Sequence, residues 1–439
     1  MKNLLEVREF ETITCNKNYQ NDGSFKYINK ETFEELESFV LELNDCGDFD
    51  TNFLNIGLKR NVGKVIQAKN FVGLIQMKNG FQIQVLPKIS YSGIEETKKI
   101  FLRMLRSLKD FPSKVFKESD LKVDRMNLYE IFINMYIQEI RKLVKKGLRA
   151  SYFSENDNLN YYKGKLLVSQ NISRNFMHKE RFFVSYDEFG TNRSENKLIK
   201  STLVKLQKIS NSVENVKEIG QLLVYFEMVD LSNNYAKDIA KIAIDRNTRD
   251  YEIPLRWSKI FLMNKSFTTF SGNTASRSLL FPMEKVFEAY VAKHLRKTLS
   301  DLDWDISTQD KGFYLFDSPK QFALRPDIVI TRENGSRIIL DTKWKSLVKN
   351  PQKNYGISQA DMYQMYAYSK KYDTPEIWLL YPMNEEMQSV CDIQFESGDN
   401  VLVRLFFVDV SRIEESLEKL KCKLQYHAGT ADNKVATFG

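Results

Sequence analysis

The chain has 439 residues, of which 42% are hydrophobic and 28% charged, as is typical of a folded globular protein of two or three domains. Its 65 lysines and arginines exceed its 57 aspartates and glutamates, and the net charge of +8 favours an anionic partner such as nucleic acid. Four cysteines without CxxC spacing and three scattered histidines argue against a disulfide framework or a zinc site.

The N-terminus and the apolar segments of the chain predict a cytoplasmic protein. The first residues, MKNLLEVREFE, become charged too early for a signal peptide. No apolar run approaches the length of a membrane span. The separated cysteines fit a reducing compartment, so we expect a cytoplasmic location and no membrane partner.

Residues 1–110 are predicted to form a β-rich N-terminal domain. Its clearest feature is a hairpin of residues 73–77 and 81–86, joined by Lys78-Asn79-Gly80. A short helix is predicted over residues 32–43. We find no catalytic constellation in this segment, and we interpret it as a structural or docking module.

Residues 111–275 are predicted to form a mainly helical middle region with β-hairpin elements. Its clearest helix covers residues 126–146, with Asp124 as the expected N-cap. Asp187 and Glu188 have no third ligand nearby, so we assign them to a loop or a helix start rather than to a metal site. Further helices are predicted over residues 196–209 and 213–227, strands over 166–168 and 181–186, and a loop over 246–254.

Residues 276–439 are predicted to form an α/β domain. A helix beginning near Pro282 has an apolar stripe, beside which Glu284 and Glu288 lie four residues apart. A second helix, residues 358–372, presents Gln364 and Tyr368 on one face. Strands are predicted over residues 312–316, over the two arms of a hairpin within 324–345, and over 376–381 and 401–410, with a final helix over 411–424.

The hairpin carries Asp327 at the head of its first apolar run, and Asp341 and Lys343 at the end of its second. A two-residue loop would place Asp327 on the face opposite Asp341, because side chains alternate along a strand. A three-residue loop pairs Asp327 with Asp341 and needs a left-handed third residue, where Gly335 stands. We therefore predict the three-residue loop, which gathers Asp327, Asp341 and Lys343 on one face.

This constellation has a chemical interpretation as a metal-dependent nuclease site. Two close carboxylates repel each other unless a cation lies between them, and oxygen ligands suit Mg²⁺. A metal-activated water near Lys343 can attack a phosphodiester, and the lysine can orient it or offset transition-state charge. The alternative is a surface hairpin with ordinary charges at its strand ends. No P-loop occurs, so we expect this chain to bind no nucleotide.

The order α-β-β-β-α-β, with Arg325-Pro326-Asp327 and Asp341-Thr342-Lys343, resembles the PD-(D/E)XK nuclease superfamily. Nearly the whole chain also resembles the McrC family, the nuclease subunits of McrBC-type 5-methylcytosine restriction systems. The segments that carry this resemblance are LRPDIVI, ILDTKWK and DMYQMYAYSKKY in the C-terminal part, and GLRASY, NLNYYKGKLLVSQNI, YDEF and ENKLIK upstream.

The resemblance implies a set of site residues. Glu288 is preferred over Glu284 as the acid of the first helix because it follows a phenylalanine, as in the family pattern. The implied set is Asp327, Asp341 and Glu288 as catalytic metal ligands, Lys343 as the catalytic lysine, and Gln364 and Tyr368 as supporting residues.

The resemblance also implies partners. They are a McrB-like AAA+ GTPase hexamer, into whose pore McrC proteins insert an N-terminal finger and whose hydrolysis they stimulate, and double-stranded DNA. One active site cuts one strand, so a double-strand break would need a second copy of the complex. The DNA modification that is recognised would be read by the partner.

Together, these observations predict an α+β multidomain protein with a C-terminal α/β PD-(D/E)XK core of order αβββαβ. Its expected function is that of an Mg²⁺-dependent DNA endonuclease subunit of a modification-dependent restriction complex. Two alternatives remain. One is a non-catalytic adaptor that activates an AAA+ ring and binds DNA without cutting it, and the other is a stand-alone nuclease.

Overall fold

The computed structural model describes residues 4–45, 53–77, 80–88, 93–109, 111, 126–242, 248–263, 277–390 and 392–435. The chain divides into two compact units, one formed by Met1–Val115 with Gly272–Gly439 and the other by Phe116–Ser271. The N-terminal and C-terminal segments that the sequence suggested as separate domains therefore lie in one unit.

The N-terminal part of the first unit is rich in strands. One four-stranded sheet has the order β3-β2-β5-β4, and a second has the order β1-β7-β6-β11. The elements are β1 (Leu4–Arg8), β2 (Thr12–Thr14), β3 (Lys26–Tyr27), α1 (Lys30–Asp45), β4 (Leu54–Lys59), β5 (Gly63–Ala68), β6 (Phe71–Gln76), β7 (Gln82–Leu86), α2 (Ile94–Leu105) and, from the C-terminal part, β11 (Arg277–Pro282).

The predicted hairpin of this region is confirmed as the antiparallel pair β6–β7, although Lys78 and Asn79 of its turn lie outside the described residues. Strand β11 joins β6 on its other side. At Gly73, with φ of +143°, an added Cβ would lie 1.9 Å from the carbonyl oxygen of Leu279. Glycine therefore permits the close approach of the strand that leads into the C-terminal part.

The C-terminal part of the first unit is built on a six-stranded sheet of order β12-β15-β16-β17-β19-β18. Strands β15 and β16 are antiparallel, whereas β16, β17 and β19 run parallel. The elements are α9 (Met283–Thr298), β12 (Asp305–Thr308), β13 (Tyr314–Asp317), β14 (Lys320–Ala323), β15 (Ile328–Thr331), β16 (Arg337–Thr342), α10 (Gln359–Tyr372), β17 (Glu376–Pro382), β18 (Gln394–Glu396), β19 (Leu402–Val408) and α11 (Ile413–Val435).

The central strands β15, β16 and β17 are almost continuously buried, as their apolar runs predict for strands covered on both faces. One face packs against α10, through a cluster that includes Val329, Ile339, Met365 and Tyr368. Helix α9 contacts β16 and α11. Its predicted apolar stripe is confirmed by the burial of Met283, Phe287, Tyr290 and Val291.

The strand predicted over residues 312–316 is present, but it does not belong to this sheet. The segment around residues 312–316 forms β13, which pairs with β14 in a separate two-stranded hairpin. The strand that pairs with β15 is β12. Its sequence, DIST, contains one apolar residue, because an edge strand buries little, and it therefore gives no periodic signal.

The second unit contains a helical core and a three-stranded sheet of order β8-β10-β9. Helices α5 and α6 contact each other, α3 contacts α6 and α8, and α5 contacts α8. The elements are α3 (Leu128–Lys146), β8 (Ser151–Leu159), β9 (Lys165–Leu166), α4 (Val168–Asn175), β10 (Phe182–Gly190), α5 (Ser194–Ile209), α6 (Val213–Leu223), α7 (Tyr235–Ala240) and α8 (Glu252–Met263).

Three predictions for this unit need correction. The N-cap of α3 is Asn127, whose side chain accepts the N–H of Glu130, and Asp124 lies outside the described residues. Asp187 and Glu188 lie within β10 rather than in a loop or a helix start. The predicted loop over residues 246–254 ends in the first turn of α8, where proline is tolerated. None of the helices in the described ranges could span a membrane.

Candidate active site

The hairpin β15–β16 has the register that its turn predicted. Ile328 pairs with Leu340 and Thr331 with Arg337, so the loop contains three residues. The N–H of Gly335 donates to the carbonyl of Arg332 at 2.9 Å, and Gly335 has a φ of +78°. The prediction of a three-residue loop with a left-handed glycine is therefore confirmed.

Continuing this register by one pair brings Asp327 opposite Asp341, beyond the last paired residues. Oδ2 of Asp327 accepts two hydrogen bonds from Thr342, one from its N–H at 2.8 Å and one from its hydroxyl at 2.6 Å. The N–H of Gln309 donates to the carbonyl of Asp327 at 3.1 Å. The end of β16 therefore fixes the orientation of the first carboxylate.

Asp341 and Lys343 form an ion pair at the end of β16. Asp341 is 2% exposed, and the Lys343 Nζ lies 2.7 Å from its Oδ2. The backbone N–H of Lys343 donates to the carbonyl of Leu380 at 2.9 Å, which continues the pairing with β17. Lys343 is thus positioned both by the sheet and by its neighbouring acid.

Helix α10 supplies the next partner of this lysine. The Lys343 ammonium donates to Oε1 of Gln364 at 3.0 Å, and Nε2 of Gln364 donates to the hydroxyl of Tyr368 at 2.7 Å. The predicted helix over residues 358–372 is confirmed as α10, and Ser358 is its N-cap. The spacing of four residues places Gln364 and Tyr368 on one helix face, and the tyrosine fixes which end of the amide meets the lysine.

Glu288 approaches from α9. It is partly buried, and its Oε1 accepts a hydrogen bond from Nε2 of Gln309 at 2.5 Å. Glu284 is exposed and accepts from Nδ2 of Asn70 at 3.1 Å. The structure thus brings all six predicted side chains into one connected region, with Glu288 joined to Asp327 through Gln309.

The acids of this region perturb one another. Burial raises the pKa of Asp341 to about 7, and repulsion from Asp327 adds to this effect, whereas Lys343 opposes it. Burial and repulsion from Asp327 likewise raise the pKa of Glu288 to about 7. The pKa of Asp327 is also raised by burial, although its hydrogen bonds from Thr342 act in the opposite direction.

These residues suit a divalent cation. Within the described ranges, no three histidine, cysteine or carboxylate side chains are grouped as a ready-made metal cage. However, Asp341 is buried, and its Oδ2 is compensated by the Lys343 ammonium at 2.7 Å, while Asp327 and Glu288 are partly buried and repel it or each other. Mutually repelling carboxylates fit Mg²⁺, whose ligands are oxygens.

Several residues at the site were not assigned from the sequence. Thr342 lies between two assigned residues, so its position in the motif could have indicated a role. Gln309 offered no such signal because it belongs to no periodic element. Lys345, which forms an ion pair with Asp361 at 2.7 Å, extends the charged network along α10.

Comparisons with known proteins agree with this architecture. A family model described as "McrBC 5-methylcytosine restriction system component" matches residues 66–382. A comparison with curated proteins finds no match.

Two solved structures match this chain, and the first of them shares its fold. A chain from the refined half-complex of a tetradecameric assembly of Thermococcus gammatolerans McrB AAA+ hexamers with bound McrC has a TM-score of 0.70 and 16% identity, covering 96% of this chain and 100% of that chain. A chain of the cryo-EM structure of the Thermococcus gammatolerans McrBC complex has a TM-score of 0.48 and 19% identity, covering 67% of this chain and 88% of that one. Because the family model matches well over half of its residues, the chain belongs to the family of McrBC 5-methylcytosine restriction system components.

Proposed function

We propose that this chain is the nuclease subunit of a modification-dependent restriction complex. It cleaves DNA phosphodiesters by Mg²⁺-dependent hydrolysis, through a PD-(D/E)XK site, and it binds and stimulates a McrB-like AAA+ GTPase hexamer. The observation that carries this proposal is the set of buried Asp341 with the partly buried Asp327 and Lys343 at the end of one hairpin, with Glu288 and Gln364 reaching it from two helices.

The three carboxylates would hold the metal. Asp327, Asp341 and Glu288 each have a raised pKa, so a bound cation would favour their ionised forms. When bound, Mg²⁺ supplies Lewis-acid stabilisation of phosphoryl oxygens and lowers the pKa of a coordinated water.

Lys343 acts as a cation rather than as a base. Burial lowers its pKa, but the carboxylates around it, Asp341 foremost, more than offset this effect, so its pKa is raised overall. The ammonium therefore stays protonated at neutral pH. It can donate a hydrogen bond to the attacking water or to a phosphate oxygen as negative charge develops there.

Gln364 and Tyr368 orient this lysine. Oε1 of Gln364 accepts from the ammonium, and Nε2 of the same amide donates to the tyrosine hydroxyl. Burial raises the pKa of Tyr368, with repulsion from Asp341 adding to it, so the phenol remains neutral. A neutral tyrosine that accepts from Nε2 holds the amide oxygen towards Lys343.

The second unit is proposed to dock on the AAA+ partner. The similar solved structure contains McrB AAA+ hexamers with bound McrC. On this chain the sheet of the second unit carries Tyr152 and Phe189, which are 74% and 62% exposed, with ring centroids 5.1 Å apart. Phe176 and Met177, which follow α4, are exposed as well. Exposed aromatic side chains in this number are typical of a protein interface.

The DNA substrate is proposed to be double-stranded. A double-strand break is proposed to need a second copy of the complex, since the described residues of each chain form one such site and one site cuts one strand. Replacing Asp341 tests the catalytic assignment. Asp341→Ala should abolish plasmid cleavage in the presence of the partner, GTP and Mg²⁺, while stimulation of the partner's GTPase persists, because the change lies in the first unit. Asp301→Ala, which removes an exposed acid paired with Lys421, is the matched control and should cut normally.

The same assay separates the alternatives. Cleavage by Asp341→Ala at the unaltered rate would rule out this site. Stimulation of the GTPase without strand breaks by the unaltered complex would favour the adaptor, and cleavage without partner or nucleotide would favour the stand-alone nuclease.

A further inference from the structure

A buried carboxylate from the N-terminal segment contacts the nuclease motif. Glu9 lies between β1 and β2 and is 1% exposed. Its Oε2 accepts the backbone N–H of Lys88 at 3.0 Å. The indole N–H of Trp344 donates to both carboxylate oxygens, at 3.1 and 3.0 Å. Glu9 and Trp344 are therefore in direct contact although they are 335 positions apart in the chain.

Trp344 is the residue that follows the catalytic lysine. Lys343 reaches Gln364 on α10, whereas the Trp344 ring packs against Phe287 on α9, with centroids 5.3 Å apart. Phe287 immediately precedes Glu288. The indole thus lies between the strand end that carries Lys343 and the helix that carries Glu288. Its hydrogen bonds to Glu9 fix its orientation.

A second contact joins the N-terminal segment to the start of α9. The carbonyl of Asn70 accepts the N–H of Met283 at 2.9 Å, and its side-chain amide donates to Glu284 at 3.1 Å. The helix that carries Glu288 and the strand end that carries Lys343 are therefore both held by residues before position 90.

The environment of Glu9 is costly for a carboxylate. Burial raises its pKa to about 8, against the opposing effect of the hydrogen bonds from Lys88 and Trp344. A buried carboxyl group of this kind adds little stability compared with an apolar side chain of similar volume, whether it is ionised or protonated. Glu9 instead orients two N–H groups, the backbone N–H of Lys88 and the indole N–H of Trp344. Trp344 belongs to the nuclease motif.

We propose that Glu9 is a positioning residue of the nuclease site. By holding the Trp344 indole, it fixes the backbone of Lys343 on one side and the placement of Glu288, through Phe287, on the other. The effect of Glu9 on DNA cleavage rests on the proposed function, whereas its effect on the positions of Lys343 and Glu288 does not. The N-terminal segment, which the sequence suggested as a docking module, is by this proposal a part of the catalytic core.

Two substitutions remove the contact, and the first does so with little change of volume. Glu9→Gln replaces one acceptor oxygen with an NH₂ group, which faces the indole N–H as a second donor. Trp344→Phe removes the indole N–H and keeps an aromatic ring beside Phe287. Glu34→Gln, on the exposed face of α1, is the matched control.

Hydrogen exchange tests the positional claim without reference to activity. The Lys343 N–H is protected by its bond to Leu380. Glu9→Gln should accelerate exchange in residues 341–345 about tenfold or more, and leave β19 and all sites in Glu34→Gln unchanged. Unaltered exchange in residues 341–345 would overturn the proposal, whether or not the complex cuts DNA.

Single-turnover cleavage by the complex with its partner, GTP and Mg²⁺ tests the catalytic claim. Glu9→Gln and Trp344→Phe should each lower the rate constant by about tenfold to a hundredfold, as losses of supporting hydrogen bonds around metal sites do. The double variant should be no slower than the slower single variant, since both remove one interaction. Substrate affinity and GTPase stimulation should stay unchanged.

The outcomes distinguish this proposal from the proposed function. If the unaltered complex cuts, Asp341→Ala does not, and Glu9→Gln cuts at the full rate per folded molecule, Glu9 has only a structural role and the proposal fails alone. If the unaltered complex never cuts, the proposed function fails, and the exchange measurement decides whether Glu9 positions residues 341–345.

Discussion

Replacing Asp341 with asparagine should stabilise the metal-free protein at neutral and alkaline pH. Asp341 is buried beside Asp327, and its pKa is raised from 3.8 to about 7, with burial as the main cause. Asparagine has nearly the same shape and carries no charge. The substitution should therefore remove an unfavourable ionisation that the folded protein undergoes in the absence of a cation.

The size and pH range of this effect follow from proton linkage. Well below pH 3.8 the carboxyl of Asp341 is protonated in both the folded and the unfolded state, so the variant and the unaltered protein should be equally stable there. As the pH rises towards 7, the Asp341 carboxyl ionises in the unfolded chain, whereas burial keeps it protonated in the folded protein. One pKa unit corresponds to about 1.4 kcal/mol, so the unaltered protein should lose up to about 4 kcal/mol that the variant retains.

Thermal unfolding in EDTA between pH 4.5 and 8 measures this difference. The midpoint of Asp341→Asn should exceed that of the unaltered protein by several degrees at pH 8, and the two should converge at low pH. Added Mg²⁺ should stabilise the unaltered protein above pH 7 and have less effect on the variant. Asp301→Asn provides the control for an exposed acid. The reasoning would be refuted if the difference in unfolding midpoint between Asp341→Asn and the unaltered protein were smaller at pH 8 than at pH 4.5.

Two further predictions concern the same module. At a Mg²⁺ concentration below saturation, cleavage by the complex should increase as the pH rises through about 7, because Asp341 and Glu288 must lose protons to bind a cation. Glu288→Gln should lower the rate and flatten this profile, as measured by initial cleavage rates from pH 6 to 8.5. Gly335→Ala should cost about 1 kcal/mol, because its φ of +78° disfavours any side chain and the added methyl meets only open space. Thermal unfolding should show this loss, and cleavage by the folded variant should be retained because the loop lies at the far end of the hairpin from Asp327.

The hairpin register illustrates what could be predicted locally. Strand alternation and the need for a left-handed third residue depend only on neighbouring residues, so the position of Gly335 was sufficient to pair Asp327 with Asp341. Gln364 and Tyr368 were placed on one face by helix geometry in the same way. Strong local rules therefore gave most of the candidate site.

Elements with weak local signals were missed. Strand β12 is short and polar because it lies at the edge of its sheet. The apolar residues of β13 predicted a strand of the main sheet, although most of its side chains are exposed. The start of α8 was predicted as a loop because Pro254 resembles a helix breaker, yet proline is compatible with the first turn. In each case burial, rather than composition, decided the outcome.

The sequence by itself determined the family, the secondary structure around Asp327 and Asp341 and the face on which these acids lie, since these depend on residues close together in the chain. Only the tertiary structure revealed that β11 completes an N-terminal sheet, that Gln309 binds Glu288, and that Glu9 binds Trp344. These contacts join residues that are distant in sequence. They depend on which surfaces pack together on folding, and no periodicity or turn in the chain encodes that choice.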